Sequence, residues 1–279
     1  MINKIKRKVT QLLNLRPSSE PFISGDTFRK LANHTYGSNN ITFNPEDINE
    51  KDIIFVPSHL LKEFFETCHK NIQNKYILIS HNADTNITQK YLRYIDSKII
   101  KWYAQNLLCE HNKIELIPIG LENMSYYTNG IISKYKKNSN NKPILNKILV
   151  AFNISTNKEK RESCYNTLKL YTNSTTYNTI IRPTDYFKLL KKHKFVASPE
   201  GNGVDCHRTW EAMYIGVVPI VLRNIFSNKL NELPVWIIDS WDELYEYNES
   251  DLADKYNELI KKKNNRMYFS YYKTKICST

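Results

Sequence analysis

Short apolar runs alternate along the chain with stretches in which apolar and polar residues recur at helical spacing. A strand buried on both faces of a parallel sheet reads as a nearly continuous apolar run. Apolar residues repeated every three or four positions indicate an amphipathic helix. The first half of the chain therefore predicts five strands and two helices. The strands are 21–26, 52–58, 75–81, 98–106 and 114–120, and the helices are 59–72 and 86–95.

The same alternation begins again after residues 129–147, a polar segment with Asn-Gly and Lys-Pro steps that we predict to be a linker. The pattern after it predicts five strands, three helices and a final helical stretch. The strands are 148–153, 177–183, 194–200, 217–222 and 235–239, the helices are 158–171, 184–193 and 205–215, and the final stretch is 240–275.

Repeated strand–helix units predict a parallel sheet covered by helices on both faces. Two such halves predict two Rossmann-like α/β/α domains that face a cleft, with ligands at the carboxyl ends of the strands. The predicted boundaries are 21–145 and 146–250 for the two domains. A basic amphipathic segment, 1–20, precedes them, and a helical segment, 251–279, follows and can pack back on the first domain.

The net charge of +12 and the pI of about 9.3 indicate an anionic partner. Nucleic acid, an anionic membrane surface or a phosphate-bearing small substrate would each fit. No zinc-finger spacing or RNA-recognition signature accompanies the charge, so nucleic acid is not the expected partner. The five cysteines are odd in number and form no CxxC, which favours a reducing, cytoplasmic location.

The first residues, MINKIKRKVTQLLNL, place Ile2, Ile5, Val9 and Leu12 at helical spacing among four basic residues. Such a helix can lie on the cytoplasmic face of an anionic membrane. It can equally dock on its own protein, and the sequence leaves both alternatives open.

Residues 195–222 contain three of the seven glycines of the chain. A predicted strand ends there in a Gly-containing loop, and a helix is expected to begin near Asp205 as N-cap. We expect Gly201 and Gly203 to adopt positive φ and to bring the backbone close to a ligand. Gly216 is expected to end the helix. The N–H groups and the dipole at the start of the helix favour an anion such as phosphate.

Arg208, in the first turn, can offer a bidentate contact to a diphosphate. Glu211 lies on the same face and can accept hydrogen bonds from ribose hydroxyls, while His207 either contacts the ligand or packs in the loop. The structural alternative is a plain strand–helix turn with Arg208 and Glu211 as a surface pair. Position 206 is Cys where a dinucleotide fingerprint has its third glycine, and no phosphate-loop Lys-Ser/Thr occurs, so neither nucleotide motif is indicated.

The segment Ser198 to Val221 resembles the donor-site segment of exostosin-like glycosyltransferases, Ser-Pro-x-Gly-x-Gly-x-Asp-x-x-Arg-x-x-Glu-Ala-x-x-x-Gly-x-x-Pro. The resemblance covers about 25 residues. It implies a GT-B fold and an inverting transfer from a nucleotide-diphosphate sugar to a hydroxyl of a glycan. The cysteine pattern and the basic first residues favour surface polysaccharide or glycan synthesis beside a membrane, bacterial or viral, with an acceptor that is lipid-linked or free. The resemblance implies no metal or other cofactor, and no Asp-x-Asp motif occurs. The donor-binding residues expected on this segment are Glu200, Gly201, Asn202, Gly203, His207, Arg208 and Glu211.

A second anion site is predicted where the strand 148–153 leads into the next helix. Ser155, Lys158 and Arg161 follow that strand, and Arg161 is the expected second cation for the donor. The alternative is an ordinary capped helix with a solvated basic face.

An inverting transfer needs a base that takes the proton of the acceptor hydroxyl. The candidates, in order, are Asp84, Asp26 and Glu122, each close to the end of a predicted strand. His81 and Arg29 are the expected acceptor-binding residues. Acids at strand ends also serve as helix caps, so two other functions stay open: a non-catalytic glycan- or nucleic-acid-binding protein, and another nucleotide-dependent group transferase.

Overall fold

The computed structural model of the chain describes residues 2–13, 15–37, 43–138 and 142–279. The chain divides into two compact units. Met1–Gly130 and Tyr268–Thr279 form the first, and Ile131–Met267 form the second. The second unit thus begins before residue 146, and the chain returns to the first at Tyr268 rather than at residue 251.

Each unit is built on a five-stranded sheet in which every pair of neighbouring strands is parallel. The strands of the first unit are β1 (His34–Thr35), β2 (Ile53–Pro57), β3 (Tyr76–His81), β4 (Ile99–Ala104) and β5 (Ile114–Leu116). Those of the second are β6 (Leu145–Ala151), β7 (Ser174–Tyr177), β8 (His193–Ala197), β9 (Val218–Leu222) and β10 (Trp236–Ile238).

Ten α-helices occur among the described residues. They are α1 (Ile2–Leu12), α2 (Gly25–Arg29), α3 (Leu61–Thr67), α4 (Ile132–Asn138), α5 (Lys158–Leu168), α6 (Pro183–Leu190), α7 (His207–Tyr214), α8 (Ile225–Asn228), α9 (Glu249–Leu259) and α10 (Phe269–Cys277). α10 belongs to the first unit, where the ring of Phe269 lies edge-on to that of Phe28, with centroids 5.4 Å apart.

Two predictions of local structure are wrong. Residues 21–26 form no strand, because Ser24 caps α2 by accepting from the N–H of Thr27; Phe22 and Ile23 are apolar because they are buried in a loop. Residues 86–95 contain a 3-10 helix, Gln89–Tyr94, in place of an α-helix.

The predicted linker also contains structure. α4 lies within it, and Tyr135 of that helix is 1% exposed. Its ring packs edge-on against Phe187 and near Tyr214 of the second unit. Residues 139–141 lie outside the described residues.

The order of the strands in the second sheet has a switch point between β6 and β8, where a ligand site is expected. The order is β7-β6-β8-β9-β10, so the chain runs from β6 outward to β7 and then crosses back to β8 on the other side of β6. The loops that follow β6 and β8 therefore leave the sheet in opposite directions. In open parallel sheets, ligands bind outside the carboxyl ends of the two strands at such a switch point. The first sheet, in the order β1-β2-β3-β4-β5, has no reversal among the described strands.

Candidate functional site

The loops after β6 and β8 contact each other at the switch point of the second unit. Asn157, the N-cap of α5, donates from Nδ2 to the carbonyl oxygen of Gly201 (2.8 Å). Arg161, one turn into the helix, donates from Nε to the carbonyl oxygen of Glu200 (3.0 Å). It also donates from Nη1 to the carbonyl oxygen of Asn153 (2.7 Å). Arg161 therefore holds both loops in place.

Arg161 and Arg208 bring two positive charges together in this site. Both guanidinium groups lie over the ring of Phe152, at 5.8 Å and 5.4 Å from its centroid. Burial lowers the pKa of Arg161, and the charge of Arg208 lowers it further. Arg161 is 7% exposed, and its side chain donates to backbone carbonyl oxygens of the two loops.

Arg208 is partly buried, and its Nε is enclosed with no hydrogen-bond partner among the described residues. None of the ion pairs found in the described part of the chain joins a carboxylate to Arg208 or Arg161. A buried positive charge is normally paired. Two adjacent cations without a paired carboxylate form a site that an anion would stabilise.

The start of α7 differs from the prediction in its details. The helix begins at His207 with Cys206 as N-cap, and that cap makes no side-chain hydrogen bond. Asp205 is not the cap, because its Oδ1 accepts a hydrogen bond from Trp210 Nε1 (2.9 Å) in the core.

Gly201 and Gly203 are not among the glycines with positive φ, so that expectation is also wrong. Gly201 instead allows a close approach: a Cβ there would lie 3.0 Å from Nη2 of Arg161, so the guanidinium would have to shift by a few tenths of an ångström. Gly216 behaves as predicted, with φ of 80° directly after the helix.

Tyr186 and Glu211 complete the surroundings of Arg208. The Tyr186 hydroxyl is enclosed, and no hydrogen-bond partner with acceptable geometry is found for it in the described structure. Burial raises the pKa of Tyr186, Glu211 raises it further, and the charge of Arg208 opposes both. Glu211 is 4% exposed, so it is no member of a surface pair.

A crevice lies beside the loop after β8, between that loop and the loop after β9. Glu200 lines it, and Glu200 Oε1 accepts a hydrogen bond from Asn224 Nδ2 (3.0 Å). The other residues that line it are Lys160, Ser198, Pro199, Val204, Thr209, Val221, Leu222, Asn224, Phe226 and Ser227. Four further residues belong to the site and were not predicted from the sequence: Lys160, Asn224, Tyr186 and Phe152. Phe152 and Asn224 could have been predicted from the sequence, since each follows by one or two residues a strand that ends at this edge of the sheet.

The remaining predicted donor residues lie around the same loops. Ser155 is exposed and donates from Oγ to Asn153 Oδ1 (2.9 Å). Lys158 is the exposed first residue of α5, and Asn202 is exposed at the tip of the loop after β8. His207 is partly buried as the first residue of α7, and Gly203 is buried.

In the first unit, Asp26 lies in a buried polar network beside the carboxyl end of β3. Its side chain is fully buried, Oδ1 accepts from Asn82 Nδ2 (3.1 Å), and Oδ2 has no partner among the described residues. Asn123 Nδ2 donates to Asn82 Oδ1 (2.9 Å), and the N–H of Asp26 donates to Asn123 Oδ1 (2.8 Å). Burial raises the pKa of Asp26, while the charges of Arg16, Arg29 and Lys30 oppose the rise.

The backbone around Asn82 is strained. Asn82 has φ of 61°, in the left-handed region. A Cβ on residue 25 would lie 1.7 Å from Asn82 Oδ1, so Gly25 is required by close approach. Strained residues beside buried polar groups are characteristic of functional sites.

The neighbouring candidates have other environments. His81 Nδ1 accepts from the N–H of Asn82 (2.7 Å), and Nε2 donates to the carbonyl oxygen of Pro118 (3.0 Å), so both ring nitrogens are engaged by the backbone. Glu122 Oε2 accepts from the N–H groups of Asn129 and Gly130, and so stabilises a turn. Asp84 is exposed.

Arg29 is the last residue of α2 and is half-buried. Burial lowers its pKa, Arg16 lowers it further, and Asp26 opposes them. Arg29 therefore lies in the electrostatic neighbourhood of Asp26.

Within the described ranges, no group of three or more His, Cys, Asp or Glu side chains is placed to hold a metal ion. The described helices include none with both the length and the apolar character needed to cross a membrane.

Comparison with known proteins does not identify a family. No family model matches the chain, and no curated protein matches it, so membership of the exostosin-like family stays a prediction. Among solved structures, the chain is similar to a glycosyltransferase from Rickettsia africae ESF-5, with 14% sequence identity and a TM-score of 0.44. The similarity covers 81% of this chain and 75% of that one. So distant a likeness does not establish the activity of the present chain.

Proposed function

We propose that the protein is a glycosyltransferase that takes its sugar from a nucleotide-diphosphate donor, which the second unit binds. The observation that carries the proposal is the pair Arg161 and Arg208 at the switch point of the sheet. The sequence resemblance around Ser198 to Val221 supports it independently, since it concerns the order of residues and not their positions in space.

The diphosphate fits the site for electrostatic reasons. When a sugar leaves a nucleotide diphosphate, negative charge grows on the bridging oxygen, and fixed positive charge lowers the barrier. Arg208 is the residue we propose to contact the diphosphate, because it is partly exposed and its Nε is unpaired. Arg161 is nearly buried and bonded to two loop carbonyls, so it contributes charge and holds the loops.

We place the nucleoside against the mouth of the crevice between the loops after β8 and β9, since the enclosed space there, about 20 Å³, is too small to take in a base. That crevice combines apolar side chains, Val204 and Phe226 among them, with the amide of Asn224 and the carboxylate of Glu200. Binding sites for small molecules commonly combine an apolar lining with a few polar groups that fix orientation.

We propose Asp26 as the general base, ahead of Asp84 and Glu122. Glu122 is committed to a turn, and Asp84 is exposed. Asp26 has a carboxylate oxygen with no partner among the described residues and a pKa raised by burial, which favours proton uptake. Because its side chain is fully buried, the proposal requires the partly exposed Arg16, 3.7 Å away, to move aside when the acceptor binds. In an inverting transfer the acceptor hydroxyl gives its proton to the base as its oxygen bonds to the anomeric carbon. The bond from that carbon to the diphosphate breaks on the opposite face, which inverts the configuration.

A panel of nucleotide sugars tests the proposal. Each is incubated with the protein, with and without a mixture of glycan acceptors, and the released nucleoside diphosphate is measured. We expect one base and sugar to be preferred and its turnover to fall at least a hundredfold in Arg208→Met. No release from any nucleotide sugar, together with no binding of UDP or GDP at millimolar concentration, would reject the proposal.

A further inference from the structure

The first helix, α1, presents an unpaired apolar stripe to solvent. Ile5, Val9 and Leu13 are 57%, 49% and 60% exposed. They follow one another at intervals of four residues, so they lie along one side. Three large apolar side chains in one exposed row indicate an interaction surface.

The helix is nevertheless attached to its own unit, by a different face. Thr10 is 4% exposed, and its Oγ1 donates to the Tyr127 hydroxyl oxygen (3.3 Å). The guanidinium of Arg7 lies over the ring of Tyr126, 5.2 Å from its centroid. Since successive residues are about 100° apart around a helix, Thr10 and Arg7 lie on a side away from Ile5 and Val9. The two alternatives that the sequence left open are therefore compatible, because docking leaves the apolar stripe outside.

The charges beside the stripe select the partner. Lys6 and Lys8 are both exposed and flank the stripe on opposite sides. The segment Ile2–Leu12 has no acidic residue. Lysines in this position can lower their apolar stems toward a membrane while their ammonium groups reach anionic headgroups.

We propose that the row Ile5, Val9 and Leu13, with Lys6 and Lys8 beside it, seats the first unit on the surface of an anionic lipid bilayer. The helix lies in the interface and does not cross the membrane. This proposal does not depend on glycosyl transfer, because it rests only on the exposure and charge of α1.

Chain connectivity links this surface to the buried network of Asp26. Arg16 follows the end of α1 by four residues, a span of at most about 14 Å, and its Nη1 is 3.7 Å from Asp26 Oδ1. The lipid-binding test below stands whether or not transfer is detected.

Co-sedimentation with vesicles tests the proposal on the whole chain. Vesicles of phosphatidylcholine with 30% phosphatidylglycerol are compared with pure phosphatidylcholine, each at low and high salt. We expect binding to the anionic vesicles, weakened at high salt because the lysine contribution is screened. Ile5→Ser/Val9→Ser should weaken binding at least tenfold through lost apolar burial, and Lys6→Glu/Lys8→Glu should weaken it most at low salt. The control Leu170→Ser/Ile180→Ser removes two apolar side chains that are 73% and 83% exposed in the second unit, and should bind as the original chain does.

Thermal melting and sedimentation velocity test whether the stripe instead packs on the protein itself or on a second copy of the chain. The serine variants of α1 should melt within about 2 °C of the original chain, since the replaced side chains are exposed. The proposal is overturned if the original chain ignores anionic vesicles, or if the α1 variants bind as well as the control. It is also overturned if those variants lose several degrees of melting temperature, which would mean that the stripe packs on the protein. Loss of a dimer in them would assign the stripe to a second copy of the chain.

Discussion

Replacing Arg208 by Met separates a ligand-binding role from a structural one. Methionine is similar in length and keeps the apolar contact with the ring of Phe152, but it removes the charge. If Arg208 holds an anion, the substitution should destroy binding of a nucleoside diphosphate and leave the fold intact. If Arg208 is only a structural residue, the fold should lose stability and any binding should persist.

The expected change in stability is small because two effects oppose each other. Since the guanidinium carbons of Arg161 and Arg208 lie over one ring, at 5.8 Å and 5.4 Å from its centroid, they are at most about 11 Å apart. At that separation two unit charges repel by about 0.4 to 1.5 kcal/mol for effective dielectric constants between 80 and 20. Relief of this repulsion offsets the loss of a cation–π contact worth about 0.5 to 1 kcal/mol. We therefore expect the melting temperature to change by less than about 3 °C.

The expected change in binding is large by comparison. A hydrogen bond to a charged group contributes about 1.5 to 3 kcal/mol. The affinity for UDP or GDP should therefore fall by about 10- to 150-fold. Arg208→Lys should recover only part of this, because lysine lacks the planar fork.

Lys194→Met is the matched control. Lys194 also lies over an aromatic ring, with Nζ 5.1 Å from the centroid of Tyr256, but it lies at the amino end of β8, opposite the loops of the site. Both variants lose one positive charge. Isothermal titration with UDP and GDP, beside thermal melts, should show weak binding for Arg208→Met alone. Equal affinities in the two variants, or an equal loss in both, would refute the reasoning.

Three further outcomes are expected. Asp26→Asn should lower turnover by about a hundredfold to ten-thousandfold. It should also raise the melting temperature at neutral pH, because burial raises the pKa of Asp26 and so disfavours its charged form in the folded protein. This difference in melting temperature should vanish below about pH 4, where the carboxyl is protonated in both the folded and the unfolded state. Gly201→Ala should cost about 1 to 3 kcal/mol of stability and weaken nucleotide binding, because its Cβ would lie 3.0 Å from Nη2 of Arg161. Thermal melts measure the loss of stability and titrations measure the affinity; an unchanged affinity would count against a role for Arg161. Transfer should survive EDTA, since Arg161 and Arg208 supply the positive charge in the proposed step; loss of activity that Mn²⁺ or Mg²⁺ restores would contradict this.

The sequence was sufficient for the elements with strong patterns. Nine of the ten predicted strand runs overlap a strand of the structure, since buried parallel strands read as apolar runs. The exception, residues 21–26, is apolar because Phe22 and Ile23 are buried in a loop. Burial, not strand formation, is what the pattern detects.

The candidate site was predictable only as a set of loops. The positions of Arg161 and Arg208 relative to a parallel sheet follow from the alternation of strands and helices. Their shared contact with Phe152 does not, because it depends on the crossing between β6 and β8, which no local pattern reveals. The prediction of a positive φ at Gly201 was wrong. The structure shows instead that this glycine lies close to Arg161, 40 positions earlier in the chain, and no local pattern reveals such a contact.

The hydrogen-bond network of Asp26 could not be predicted from the sequence. It is formed with Asn82 and Asn123, and asparagine is so frequent in this chain that no single asparagine stands out as a candidate. Only the structure brings them within hydrogen-bond distance of one another and of Asp26.

A crystal structure of the chain with UDP or GDP tests the central claim most directly. The account predicts the diphosphate at the carboxyl ends of β6 and β8, with a phosphate oxygen about 3 Å from the guanidinium of Arg208 and the nucleoside at the mouth of the crevice beside Asn224. A nucleotide bound elsewhere on the second unit, with the loops after β6 and β8 making no contact with its phosphates, would contradict it.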